Sequence, residues 1–366
     1  MSKKFLIVGS GFFGATCARE LTDAGHSCLV IDKRNHIGGN CYSEKVEEAD
    51  CHRHVYGPHI FHTNSEKIWN YINRFASFNN YINRVKVNHK YKIYSFPINL
   101  FTLYQLFGVK TPEEAKACLA DKKEPIENPL NMEEWCLANV GREIYEIFIE
   151  GYSSKQWARH PRELPASIIK RVPIRLNYDD NYYFDRYQGI PIGGYTSIFE
   201  KMLDGIPLEL NTDFHLDRET FLSKFDHVIF TGPIDSFFDY SKGHLEYRSL
   251  RFDHQLMNCT DFQGNAIINY TDGDIPHTRV YEHKHFDMNF SASKSAVTYE
   301  YPDKWEPGKI EIYPVNTDEN QSLFEKYQNM AKEVSNVTFG GRLGQYRYYD
   351  MHQVIASALE KVKSLA

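Results

Sequence analysis

The sequence contains no apolar run approaching the ~20 residues that a membrane-spanning helix needs, so a helical integral membrane protein is excluded. It contains no Cys-x-x-Cys pair. Its cysteines, Cys17, Cys28, Cys41, Cys51, Cys118, Cys136 and Cys259, are odd in number and scattered. Neither a disulfide framework nor a zinc site is expected from them, and reduced thiols fit a cytoplasmic setting. No leader peptide is expected ahead of the first strand. A basic excess is also missing. A net charge of −6 argues against a broad nucleic-acid surface and against an anionic membrane partner, so an anionic ligand would have to be held by a local arginine cluster. What is abundant is aromatic side chain, with 25 Tyr and 24 Phe, serving as core or as stacking surface for flat rings. A length of 366 residues allows two or three substructures around a sizeable core.

The first forty residues organise the chain. Lys3-Lys4-Phe5-Leu6-Ile7-Val8 reads as a buried parallel strand. It runs into Gly9-Ser10-Gly11-Phe12-Phe13-Gly14, a G-x-G-x-x-G turn, followed by a helix over about 13–24. A second strand, Cys28-Leu29-Val30-Ile31, ends at Asp32. This is a βαβ unit in the order a dinucleotide requires. Gly9 allows the tight turn, Gly11 lets backbone approach a pyrophosphate, and Gly14 lets helix and strand pack closely. The helix N-terminus offers free N–H groups to phosphate, and Asp32 stands where an acid binds a ribose hydroxyl. A glycine turn without a ligand is the alternative. After Lys33, the pair Gly38-Gly39 and Asn40 resemble the extended FAD fingerprint of flavoproteins related to glutathione reductase, which favours FAD over NAD.

Farther along, His52, His54, His59 and His62 lack metal-ligand spacing and a completing Cys or carboxylate, so no metal is expected. The spacing predicts a hairpin over 85–96. Thr111-Pro112-Glu113-Glu114 and Asn131-Met132-Glu133-Glu134 carry helix-start signals. Trp135, Ala138, Ile144, Ile147 and Phe148 are expected on the inner face of the second helix, with Gly151 breaking it. The stretch 171–183, with Arg171 and Arg175, reads as a surface loop over a pocket. A buried strand over 227–230 returns the chain to the nucleotide unit, so the helical block is an insertion. Strands over 246–252, 266–270, 279–282, 296–301 and 309–313 predict an antiparallel sheet. At the far end, Val337-Thr338-Phe339, Gly340-Gly341-Arg342-Leu343-Gly344 and a helix capped by Asp350 would aim a positive dipole end at the cofactor.

The pattern as a whole resembles the bacterial UDP-galactopyranose mutases. The resemblance rests on 9–14, on Gly57-Pro58-His59-Ile60-Phe61-His62-Thr63, on Gly151-Tyr152 through Lys155-Gln156-Trp157, and on 341–351. It implies an α/β fold: a Rossmann-like FAD-binding domain (1–80, 189–243 and 315–366), an inserted helical domain (99–170), and an antiparallel β-sheet domain (81–98 and 244–314), with 171–188 as a mobile loop joined to the sheet. It also implies an isomerase that interconverts UDP-galactopyranose and UDP-galactofuranose through a reduced-flavin N5–sugar adduct, supplying surface polysaccharide. The implied cofactor is FAD, with NAD(P)H as reductant, and the implied assembly is a homodimer. Arg171, Arg279 and His59 are the implied catalytic residues. Substrate is assigned to Asn83, Phe148, Tyr152, Trp157, Arg171, Tyr182, Asn269, Arg279, Tyr313 and Tyr348. Cofactor is assigned to Gly9, Gly11, Phe13, Gly14, Asp32, Lys33, Gly39, Asn40, His59, Ile60, Arg342, Tyr349, Asp350, Met351 and Val354. The sequence departs from the family in having Asp32 where Glu is common, and Ser153-Ser154 where Thr-Arg is common. Competing readings are the same reaction on UDP-N-acetylgalactosamine, an FAD-dependent oxidase of the same superfamily, and a catalytically silent binder.

Overall fold

The computed structural model describes residues 2–169 and 174–365. Five parallel strands form the first sheet, in the order Val337–Phe339, His227–Phe230, Lys4–Val8, Ser27–Ile31 and Leu208–Glu209. Phe5, Leu6 and Ile7 are fully buried in its centre, which is why the first strand is an unbroken apolar run rather than an alternation. One face is covered by the helices Phe12–Asp23 and Met351–Lys363, through Leu21, Ile355 and Ala358. The other face packs Leu6, Ile31 and Val228 against Phe214 and Phe237.

The second sheet has seven strands: Tyr313–Pro314, Tyr247–Met257, Ser295–Lys304, Arg279–Glu282, Ile267–Tyr270, Lys86–His89 and Lys92–Ser95. It is antiparallel apart from one pair, since Lys86–His89 runs parallel to Ile267–Tyr270. The helical insertion separates these two strands in sequence, and a connection that long permits the parallel direction that a hairpin forbids. The strand expected over 309–313 reduces to Tyr313–Pro314, and the strand expected over 246–252 extends to Met257. Two small antiparallel pairs went unanticipated: Ser43–Val46 with Cys51–His54, and Phe61–Thr63 with Tyr187–Gly189. So did the helix Asp318–Lys332, whose N-cap is Thr317.

The helical block corrects two expectations. Thr111 and Asn131 cap their helices as anticipated, but the second ends at Asn139. Gly141 turns the chain at φ +81°, where a Cβ would lie 2.4 Å from the Lys122 carbonyl. The chain then resumes at Arg142–Tyr145 and passes through a π-turn, Glu146–Glu150, into Gly151–Trp157. Gly151 is therefore no breaker. It is helical, and a Cβ there would meet the Thr271 carbonyl at 2.0 Å, so glycine is needed for close approach. Buried within this block are Cys136, Leu137, Ile144, Tyr145, Phe148 and Ile149, whereas Trp135, Ala138 and Ile147 are only partly covered.

Candidate active site

A cleft of about 410 Å³ opens above the C-terminal end of the parallel sheet. Gly9 holds φ +102°, and a Cβ on it would lie 2.0 Å from Thr231 Oγ1. A Cβ on Gly14 would lie 1.9 Å from the Gly9 carbonyl, whereas one on Gly11 would meet only Gly38 and Gly39 backbone at 3.9 Å. The turn is thus packed from behind and open at Gly11, the N-cap of helix Phe12–Asp23, which is the cradle a pyrophosphate requires. Phe13, Asp32, Lys33, Gly39, Asn40, His59, Arg342, Met351 and Val354 also line the cleft. Ile60 lies instead in the apolar cluster of the helical block. Asp350 is the N-cap of helix Met351–Lys363, and the Tyr349 carbonyl accepts from Arg342 Nη2 at 2.6 Å.

Asp32 is engaged within the protein. Its Oδ2 accepts from Ser10 N (2.9 Å) and Ser10 Oγ (2.6 Å), and its Oδ1 from Arg34 N (3.0 Å). The short side chain thereby stiffens the glycine turn. Arg34 Nη2 reaches Asn40 Oδ1 at 2.8 Å, while Arg34 Nη1 is buried without a partner. An unsatisfied guanidinium nitrogen beside an open phosphate cradle suits an anionic cofactor. The residues present therefore fit FAD.

The seven-stranded sheet supplies the second wall. Arg279 pairs in register with Glu300, and the guanidinium grips the carboxylate bidentately through Nε (2.8 Å) and Nη2 (2.9 Å). Thr278 Oγ1 (3.1 Å) and the Tyr281 hydroxyl also donate to Glu300. The Glu300 carboxylate and its partner hydrogen bonds hold Arg279 well above its ordinary pKa against the opposing effect of burial. Arg342 stands 4.8 Å above the Tyr313 ring, and Arg248 stands 5.8 Å from it. Arg248 also covers the Trp157 ring at 4.5 Å. Tyr313 stacks on Tyr348 at 4.7 Å and 13°. Arg342 and Arg248 thus flank one tyrosine whose hydroxyl also feels the Arg279 charge, and among the described residues only Arg279 of the three forms a salt bridge.

The remaining substrate candidates are distributed around this cluster. Tyr152 sits near Arg279, and burial raises its hydroxyl pKa. Asn269 is paired in register with Arg279, and its Oδ1 is buried without a hydrogen-bond partner. Phe148 is buried against Tyr94 and Phe96. The Asn83 carbonyl accepts from Tyr182 N at 2.8 Å, and Tyr182 packs against Tyr183. Arg171 lies outside the described residues. Sequence reasoning missed Arg248 and Glu300. Both lie on strands that carry several other polar and charged residues, so nothing in the pattern singles them out, and their meaning depends on strand register.

His59 Nδ1 lies 2.8 Å from the Gly57 carbonyl. A carbonyl only accepts, so Nδ1 carries the proton and Nε2 the lone pair. Burial pushes the His59 pKa down to about 4, so the ring is neutral near pH 7. Behind it, His54 and His283 are buried and held neutral in the same way. Among the described residues, two groups could gather three metal-type ligands each: His62, Asp350 and His352, and separately Asp261, Glu282 and His285. In the second, the Glu282 carboxylate is already occupied by Phe262 N, Gln263 N and Ser295 Oγ.

Comparison with known proteins bears on this arrangement. A UDP-galactopyranose mutase family profile matches residues 147–348, and an NAD(P)-binding Rossmann-like domain profile matches residues 7–75. The chain is 43% identical to the dTDP-fucopyranose mutase of Escherichia coli, over 98% of this chain and 97% of that protein. It is also 43% identical to the probable UDP-galactopyranose mutase of Klebsiella pneumoniae, over 98% and 94%. A crystal structure of reduced UDP-galactopyranose mutase superposes with a TM-score of 0.77 at 16% identity, over 100% of this chain and 94% of that one. The Rossmann-like unit, the mixed α/β architecture and the end-to-end sequence match together establish that this chain belongs to the UDP-galactopyranose mutase family of isomerases.

Proposed function

We propose that this chain interconverts UDP-galactopyranose and UDP-galactofuranose without net redox change, using bound FAD in its reduced form. The observation that carries this reading is the cluster of Arg248 and Arg342 about the stacked Tyr313 and Tyr348, with Arg342 also lining the dinucleotide cleft and Arg279 carried by the same sheet. A departing diphosphate requires such charge-assisted donors, whereas an amine oxidase, whose substrate is a cation, has no use for a cluster of them. Of the five N–H groups of Arg279, two are committed to Glu300, which leaves the others for phosphate oxygens. Tyr152, Trp157 and Phe148 receive the nucleoside, and Asn269 Oδ1 accepts from a substrate hydroxyl. His59 Nε2 holds a lone pair toward the reacting sugar at neutral pH. The reduced flavin, when bound, supplies a nucleophilic nitrogen for covalent catalysis. Arg171 completes the diphosphate contacts and closes the site to water. On the family resemblance, the enzyme works in the cytoplasm as a homodimer and supplies galactofuranose for surface polysaccharide.

The E. coli relative, equally similar in sequence, supports dTDP-fucopyranose as a second candidate substrate. The test is turnover of both nucleotide sugars by the purified flavoprotein, with and without dithionite, resolved by chromatography. A furanose isomer formed from UDP-galactopyranose only after reduction is the expected result. Conversion of dTDP-fucopyranose alone would transfer the assignment to that sugar. Oxygen consumption with an amine or hydroxy acid, and no isomer from either sugar, would overturn the reading. Arg279→Ala should retain FAD yet lose at least about 100-fold in turnover, as expected when a charged donor to a developing anion is removed.

A further inference from the structure

Lys155 belongs to the helix Gly151–Trp157, one turn beyond Gly151 and on the same face. Its ammonium donates to three backbone carbonyls: Tyr270 at 2.8 Å, Ile275 at 3.0 Å and His277 at 3.1 Å. An ammonium has three N–H donors and no acceptor, so donors and acceptors match one for one. The Tyr270 carbonyl ends the strand Ile267–Tyr270, and the other two lie in the turn that joins it to Arg279–Glu282. Tyr270 directly follows Asn269, and His277 lies two residues before Arg279. The helix carrying the ammonium also carries Tyr152 and Trp157, and its Gly151 is pressed against the Thr271 carbonyl.

The turn has other anchors. Thr271 N donates to the Asn88 carbonyl at 3.1 Å, and Lys90 N donates to the Asp272 carboxylate at 2.9 Å. The β-structure that presents Arg279 therefore does not depend on Lys155 to fold. The three ammonium bonds instead tie that structure to the helix.

We propose that Lys155 is a positioning residue: its ammonium locks the helix bearing Tyr152 and Trp157 to the turn that delivers Asn269 and Arg279, and so fixes the span of the nucleotide-sugar site. The inference rests on the nucleotide-sugar reading given above. Each carbonyl bond to a charged donor is stronger than a neutral one, and losing all three frees the helix to shift against the turn. Burial lowers the Lys155 pKa to about 8, opposed by Asp272 and Asp274. Facing it are also His277, whose pKa is pushed down to about 4, and Tyr270, whose pKa is raised. Tyr299 and Glu300 lie on the Ser295–Lys304 strand packed on the same helix. A neutral amine keeps only two donors and turns a lone pair toward a carbonyl, so the lock weakens as pH rises through about 8.

The experiment measures UDP affinity and steady-state kinetics on the purified FAD-loaded enzyme for wild type, Lys155→Met and Lys155→Arg. Both variants are expected to keep FAD. Both should weaken UDP binding and raise KM about tenfold or more, with kcat within about threefold, because three charge-assisted bonds are lost or misdirected. A planar guanidinium cannot meet three carbonyls arranged for a tetrahedral ammonium, so Lys155→Arg is not a rescue. Wild-type affinity in either variant overturns the lock. A second measurement needs no variant: wild-type UDP affinity between about pH 7 and 9 should fall through the Lys155 titration, and a flat profile overturns the proposal. Wild type that binds no UDP would overturn the nucleotide-sugar reading and this inference with it. Wild type that binds and turns over alongside unaltered variants would defeat this inference alone.

Discussion

Replacing Glu300 with Gln tests how the sheet holds Arg279. The carboxylate is buried and accepts from Arg279 Nε and Nη2, Thr278 Oγ1 and the Tyr281 hydroxyl. Gln presents an NH2 where one oxygen stood, so two acceptor positions become donors facing donors. It also leaves the part-buried Arg279 guanidinium without its counter-charge, and breaking such a pair from one side costs up to about 3–5 kcal/mol. Unfolding entropy of about 2.1 cal/mol/K per residue over 366 residues gives about 0.8 kcal/mol/K. The melting temperature should therefore fall by up to about 4–6 °C. Tyr281→Phe, which removes one hydroxyl and leaves the charges paired, should cost about 1 kcal/mol, or about 1–2 °C. Calorimetry on the FAD-loaded protein, with UDP titration in parallel, provides both readouts. UDP affinity should drop at least about tenfold in Glu300→Gln, because the guanidinium can swing away from the phosphates. A melting temperature within about 1 °C of wild type, with unchanged UDP affinity, would refute the reasoning.

Gly14→Ala should abolish FAD retention, since its Cβ would lie 1.9 Å from the Gly9 carbonyl; flavin absorbance per mole of purified protein measures it, and full occupancy would contradict the packing argument. The buried histidines should make the protein acid-labile. Desolvation pushes His59 and His277 down to about 4 and His283 to about 3, and holds His54 well below its ordinary value. These folded values lie below the unfolded value near 6.5, so protons are taken up on unfolding, and stability is lost as pH falls from about 6.5 toward 4. Unfolding at about pH 5.5 should bind roughly three to four protons through these groups. His285, whose pKa is raised by the hydrogen bonds and charge of Glu282 and Asp261 in spite of burial, is charged in both states there and adds nothing. Denaturation midpoints that do not change across that range would refute the assignment.

What could be read from the sequence was what is local in it. Gly9, Gly11, Gly14 and Asp32 lie within one βαβ unit, so their spacing alone implied the cradle. Thr111 and Asn131 announced their helices because capping is a contact over three residues. Gly151 was misread because a glycine marks a close approach as readily as a break, and only the Thr271 carbonyl decides between them. Arg279–Glu300 and Lys155 with its three carbonyls are contacts across strand register and between separate elements. No periodicity encodes them. The Phe61–Thr63 and Tyr187–Gly189 strands are three residues each, too short for an alternation to register.

The cofactor cleft is assembled from widely separated parts of the chain: 8–14, 32–41, 212–240, 308–311 and 341–354. Helix Met351–Lys363 seals the same face as Phe12–Asp23. During synthesis the glycine turn is made long before the residues beyond 340 that complete the cleft around it. A complete cleft exists only once residue 354 has been made. Until then the His227–Phe230 strand lacks its Val337–Phe339 neighbour, an open edge prone to pairing with another chain. Covering that edge and completing the cleft are thus one event, the docking of the segment that begins at Val337.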